Sequence, residues 1–123
     1  YRKCKADLNE RFEEIIGVSF YEENPMEHIV FWVSDRSLDY VQTKPIHGTQ
    51  TPIRGNHEQA LRTRYPHLQG GAFFSIDCRA NYELYRELRS FGSNLLVLSP
   101  EGIQAKVYEE IAKMAEEYKT LRT

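Results

Sequence analysis

Two blocks with the same grammar, strand then helix then strand, predict an α+β domain built on a four-stranded antiparallel sheet. The first block runs from an unbroken apolar segment at 28–34, through a short helix, to an extended stretch at 46–53 that holds a glycine and a proline. The second runs from an alternating strand at 72–79, through an amphipathic helix, to a short apolar strand at 94–98. A long proline-opened helix closes the chain.

Residues 1–27 are polar and mixed. Within them Phe12, Ile15 and Ile16 recur at helical spacing behind Asp7-Leu8-Asn9, which predicts a short helix over 9–16 stopped by Gly17. Glu22-Glu23-Asn24-Pro25 then breaks the chain, because a residue before proline avoids the helical region. This break is the expected domain boundary.

Between His28 and Ser34 every residue is apolar and most are β-branched or aromatic. Such a run suits a central strand, with Ile29, Phe31 and Val33 on one face and Val30 and Trp32 on the other. Asp35 is placed to cap a helix carrying Leu38 and Val41, which ends before Pro45. Gly48 and Pro52 mark 46–53 as an edge strand. The polar stretch 54–71 reads as a loop, with room for one helical turn at Glu58 to Arg62, and ends in Gly70-Gly71. Phe74, Ile76 and Cys78 alternate with Ser75, Asp77 and Arg79, as in a strand. Asn81 is placed to cap a helix whose apolar stripe is Leu84, Tyr85, Leu88 and Phe91, with Gly92 as its stop. Ser99-Pro100 opens the last helix, with the serine as N-cap. Ile103, Val107, Ile111, Met114 or Ala115, Tyr118 and Leu121 form its expected buried stripe.

Two βαβ halves joined in this order give a ferredoxin-like βαββαβ sheet plus a long C-terminal helix. The first and third strands are then central and the second and fourth are edges. Helices cover one face. The other face is expected to stay open, so Val30 and Trp32 would leave an apolar patch that needs a partner. These two residues are the expected self-association site.

Composition narrows the function. The chain has 123 residues and a mass of 14.5 kDa, enough for one core without metal or disulfide support. Hydrophobic residues make up 41% and charged residues 28%, an ordinary globular balance. Sixteen Lys and Arg oppose eighteen Asp and Glu for a net charge of −2, so no whole-domain basic footprint exists for nucleic acid. Two cysteines, Cys4 and Cys78, make no disulfide framework, and a reduced, cytoplasmic setting is expected. No apolar run is long enough to span a membrane. The first residue is Tyr1 rather than Met, as expected of a piece cut from a longer protein.

Chemistry is thin. His28, His47, His57 and His67 are scattered without ligand spacing, so neither a metal nor any other cofactor is expected. No nucleophile motif, phosphate loop or paired catalytic carboxylates stand out, and an enzyme is not expected. Two polar groups remain. His47 and Gln50, in Pro45-Ile46-His47-Gly48-Thr49-Gln50, could read an anionic or amide-bearing ligand, or could hydrogen-bond the adjoining loop in place. Arg54, Arg62 and Arg64, with Tyr65 among them, have the basic-plus-aromatic make-up that single-stranded nucleic acid needs, and equally that of a solvated loop.

In order and spacing, several segments resemble the end of a WYL domain and its C-terminal extension, as found in bacterial helix-turn-helix transcription regulators. They are Glu10-Arg11-Phe12 to Ile16-Gly17-Val18, then Pro45 to Gln50, then Leu88-Arg89-Ser90-Phe91-Gly92 and Val97-Leu98-Ser99-Pro100. The resemblance implies regulation rather than catalysis: a homodimer, DNA bound through an N-terminal helix-turn-helix domain that is absent here, and a nucleic-acid or small-molecule effector. It assigns 1–25 to the WYL domain and 26–123 to a ferredoxin-like extension that dimerises and couples ligand sensing to DNA binding. The Trp-Tyr-Leu motif is missing, and of the expected ligand residues only His47 and Gln50 fall on a family motif. The alternative is a module that binds a ligand or oligonucleotide directly through His47, Gln50, Arg54, Arg62 and Arg64.

Overall fold

The computed structural model describes residues 25–123. The helix expected over 9–16 lies outside the described residues, as does all but Pro25 of the segment expected to belong to a preceding domain.

Strand β1 (Met26–Val33) is the centre of the sheet. It pairs antiparallel with β3 (Ala72–Arg79) through Ile29↔Ile76, Phe31↔Phe74 and Trp32↔Phe73, and with β4 (Leu95–Ser99) through Phe31↔Val97. With β2 at Thr51–Pro52, the strand order is β2-β3-β1-β4, the ferredoxin-like arrangement, with β1 and β3 central as the apolar density of their sequences requires. Helix α1 (Asp35–Thr43) follows β1, and α3 (Tyr82–Ser90) follows β3. Helix α4 (Glu101–Leu121) closes the domain.

Alternation along the strands fills the core beneath these helices. Ile29, Phe31, Val33, Phe74, Ile76, Leu95 and Val97 meet Val41 of α1, Leu84 and Leu88 of α3, and Ile103 of α4. The Phe31 and Phe74 rings stack at 5.9 Å. As expected, the Asn81 side chain caps α3, its Oδ1 accepting the Leu84 N–H at 2.8 Å.

Four details differ from the sequence expectation. Strand β2 contracts to Thr51–Pro52, because residues 46–50 form a turn and Pro52 has no N–H to extend the ladder. The N-cap of α1 is Ser34; Asp35 is the first helical residue, and its carboxylate accepts the Gly71 N–H at 2.9 Å instead. The N-cap of α4 is Pro100, because Ser99 is still paired to Val30 in the sheet.

The largest difference concerns the second face of the sheet, which is not open. Residues 54–71 contain a ten-residue helix, α2 (Gly55–Arg64), and this segment covers that face. Val30, Trp32, Phe73 and Leu98 pack against Ile53, Leu68, Leu61 and Tyr65 as a second small core. Val30 is 5% exposed and Trp32 7%. Leaving such side chains in water would cost about 1.5–3 kcal/mol each, so a long connection able to fold back over them is favoured.

Gly70-Gly71 makes the return to β3. Gly71 has φ +62°, and a Cβ there would collide with the Val33 carbonyl oxygen. Only glycine lets the backbone pass this close to β1.

Candidate functional site

The turn between α1 and β2 is organised by its own side chains. Gln50 Oε1 accepts the Ile46 N–H at 2.8 Å, and its Nε2 donates to the Val41 carbonyl at 3.2 Å, at the end of α1. Both ends of this amide are therefore engaged within the chain. His47 is exposed, with Nδ1 2.8 Å from the Thr49 hydroxyl and 3.2 Å from the Thr49 amide. The Thr49 hydroxyl accepts the Asp77 N–H at 2.8 Å, which ties the turn to β3. Across the sheet, His28 Nδ1 lies 2.7 Å from the Asp77 carboxylate. His47 also borders a groove of about 750 Å³ with Lys44, Arg79 and Arg86, where Glu83 and Glu87 balance much of the positive charge.

The three arginines of 54–64 share one helix but not one role. Arg54 is the N-cap of α2 and Arg64 lies beside the Tyr65 ring at 5.5 Å; both are exposed. Arg62 turns inward. Its guanidinium donates to the carbonyls of Leu68 at 3.2 Å, Gly70 at 2.6 Å and Gly71 at 3.1 Å. It also sits 4.8 Å from the Phe73 ring centre and 3.5 Å from the Glu58 carboxylate. Trp32 Nε1 donates to the same Gly70 carbonyl at 3.2 Å. Arg62 is thus the clasp of the second core, and its donors are turned away from any phosphate.

The expected self-association pair fares similarly. Val30 and Trp32 lie beneath α2 and the segment after it, so they present no surface to a second molecule. The residues expected to form a ligand site also divide between two places, the 44–50 turn and α2.

The surface that the sequence reading missed lies on α4. Its 21 residues span about 31 Å, whereas the five residues of β4 span about 17 Å. The helix therefore overhangs the sheet. Ile103 is buried and Val107 half-buried, but Ile111, Met114, Tyr118 and Leu121, expected in the core, are exposed, as is Tyr108. At its inner end this stripe borders an apolar groove of about 510 Å³ lined by Tyr65, Leu96, Leu98, Gln104 and Tyr108. The signal was available as length: a helix nearly twice as long as the strand beside it cannot bury its whole stripe on that strand.

The WCX domain family matches residues 25–115. The chain belongs to this family. WCX is the C-terminal domain associated with WYL domains in WYL-type regulators, and it is a regulatory domain rather than a known catalytic one. No curated protein matches the chain. The matched region takes in the whole sheet and the first three helices, and stops within α4.

Among the described residues, no three His, Cys, Asp or Glu side chains come together as metal ligands. Cys78 is buried on the helix-covered face, where desolvation, reinforced by the Asp77 charge, pushes its thiol pKa up and holds it in the unreactive protonated form. Burial, with a smaller contribution from Glu27, likewise raises the Tyr85 phenol. No helix among the described residues is long and apolar enough to cross a membrane.

Proposed function

We propose that this WCX domain is a non-catalytic module of a bacterial WYL-type helix-turn-helix transcription regulator, pairing copies of that regulator and coupling ligand sensing to DNA binding. The observation that carries the reading is the family match over 25–115, which coincides with a complete sheet closed on both faces. A domain whose sheet is closed on both faces acts through its outer surfaces, as a relay between neighbours does. Direct capture of single-stranded nucleic acid draws less support, because Arg62 is engaged by three carbonyls and Gln50 by the backbone of its own turn.

The test is a reporter assay on the regulator that contains the domain, with and without residues 25–123. The deletion is expected to weaken operator binding, because unpaired helix-turn-helix domains each hold one half-site, and to lose the response to effector. An unchanged effector response would overturn the reading.

A further inference from the structure

We propose that the apolar groove along the outer edge of β4 binds a small amphipathic anion, its carboxylate held by Arg89 and its unbranched apolar chain lying along the strand. That is the chemistry of a medium-chain fatty acid. The inference rests on the regulatory reading for its consequence, since it gives the domain an effector site of its own.

Backbone and shape are the first argument. Strand β4 is the end strand of the sheet and pairs only with β1. The Ser34 N–H donates to the Asn94 carbonyl at 2.8 Å at the end of that ladder. Bonding alternates along an antiparallel pair, so Leu95 and Val97 turn their backbone groups outward. Gln104 of α4 reaches over this edge and donates from Nε2 to the Val97 carbonyl at 3.0 Å. An acceptor that an added strand would need is therefore taken, which disfavours a peptide lying there as a further strand. What remains is a slot of about 510 Å³ lined by Leu96, Leu98, Ala105, Val107, Ile111 and the rings of Tyr65 and Tyr108. Sites for small molecules run from about 300 to 1,000 Å³ and are apolar with a few polar groups.

Charge chooses the ligand. Arg89, in the last turn of α3, lines the same groove and is half-buried. Among the described residues its guanidinium has no hydrogen bond, carboxylate or aromatic ring as partner. Its five N–H donors are always charged and are costly to leave partly desolvated and unpaired. A carboxylate takes two of them side by side. Glu101 also lines the groove, but at the other end: α4 starts where β4 stops, whereas Arg89 precedes the start of β4. His67, the remaining charged or titratable nitrogen side chain on the groove, is exposed. The groove is thus cationic beside Leu95 and anionic beside Leu98. An anion with one carboxylate and an apolar tail matches that polarity, and a molecule with a second carboxylate at its far end meets Glu101.

The test titrates the 123-residue chain calorimetrically with octanoate, octanol and octanedioate. Octanoate is expected to saturate one site, with octanol and octanedioate each about tenfold weaker. Arg89→Gln is expected to remove the preference for octanoate over octanol and to leave octanol unchanged. Leu96→Glu, at a position 36% exposed, is expected to lose octanoate binding with unchanged circular dichroism. Should that variant lose helicity, Ala105→Leu fills the same groove without adding a charge and is expected to give the same loss. No heat up to about 10 mM octanoate, equal affinity for octanoate and octanol, or octanoate binding indifferent to Arg89→Gln would each overturn the site. The reporter assay judges the regulatory reading separately. A chain that fails to bind octanoate while deletion of 25–123 still abolishes the effector response loses the site and keeps that reading; a chain that binds it while deletion changes nothing keeps the site and loses the reading.

Discussion

Removing the Arg62 guanidinium tests whether the second core is held as described. In Arg62→Ala, three carbonyls lose a charged donor, Phe73 loses the cation over its ring, and Glu58 loses its partner. Bonds from a charged donor are worth about 1.5–3 kcal/mol each when buried. The Arg62 side chain is 31% exposed and the freed carbonyls can be hydrated, so each is discounted to under about 1 kcal/mol. The contact with Phe73 adds about 0.5–1 kcal/mol and the Glu58 pair a few tenths. The expected loss is about 3 kcal/mol, or roughly 2 M in urea midpoint at a slope near 1.5 kcal/mol per molar. Trp32 is the single tryptophan and shares the Gly70 carbonyl with Arg62, so its fluorescence reports this region directly. Arg62→Lys, which keeps the charge but loses the planar fork, is expected to lose about half as much. An Arg62→Ala protein within 0.5 kcal/mol of wild type would refute the clasp and return Arg62 to the candidates for ligand binding.

Three further outcomes follow from the same geometry. Trp32→Glu is expected to unfold the domain rather than dissociate a dimer, because a carboxylate would enter a site only 7% exposed at a cost of about 4 kcal/mol or more; circular dichroism at 25 °C separates the two. Gly71→Ala is expected to lose about 2–3 kcal/mol, from strain at φ +62° and the collision with the Val33 carbonyl, and thermal unfolding measures it. Burial raises the Cys78 thiol above its unfolded value, so the folded state holds that proton more tightly than the unfolded chain. Stability is then full below the ordinary thiol pKa and falls as pH rises through the raised one; urea midpoints from pH 7 to 10.5 should drop at the alkaline end, and drop less in Cys78→Ala.

The sheet was legible because its information is local. The apolar run at 28–34 and the alternation at 72–79 name the central strands, and Asn81 and Gly92 bracket α3. The covering of the second face was not legible, because α2 has no amphipathic stripe of its own. Its contribution to the core is Leu61 and the guanidinium of Arg62, together with Tyr65 and Leu68 just beyond its end. An arginine among polar residues reads as surface, and only tertiary geometry shows it facing three carbonyls. The same limit applies to Gln50, whose amide satisfies a turn that the sequence presents as a strand. In both places a polar residue that could have met a ligand meets backbone instead.

The closing of both faces also decides where this domain can communicate. A four-stranded sheet with one open face can take a partner on that face, and any helix beyond the βαββαβ unit is then an addition. Here α2 and its flanks occupy the face, so a partner cannot reach Val30 or Trp32 without unfolding that segment. The unsatisfied apolar surface is displaced to the one element longer than the sheet it rests on. A helix of 21 residues is not needed to bury Ile103 and Val107; the first two turns do that. The three further turns keep the heptad spacing while losing contact with the body, which is costly unless something pairs with them. Length beyond the core, spacing beyond the core and exposure beyond the core coincide on the same residues, from Ile111 to Leu121.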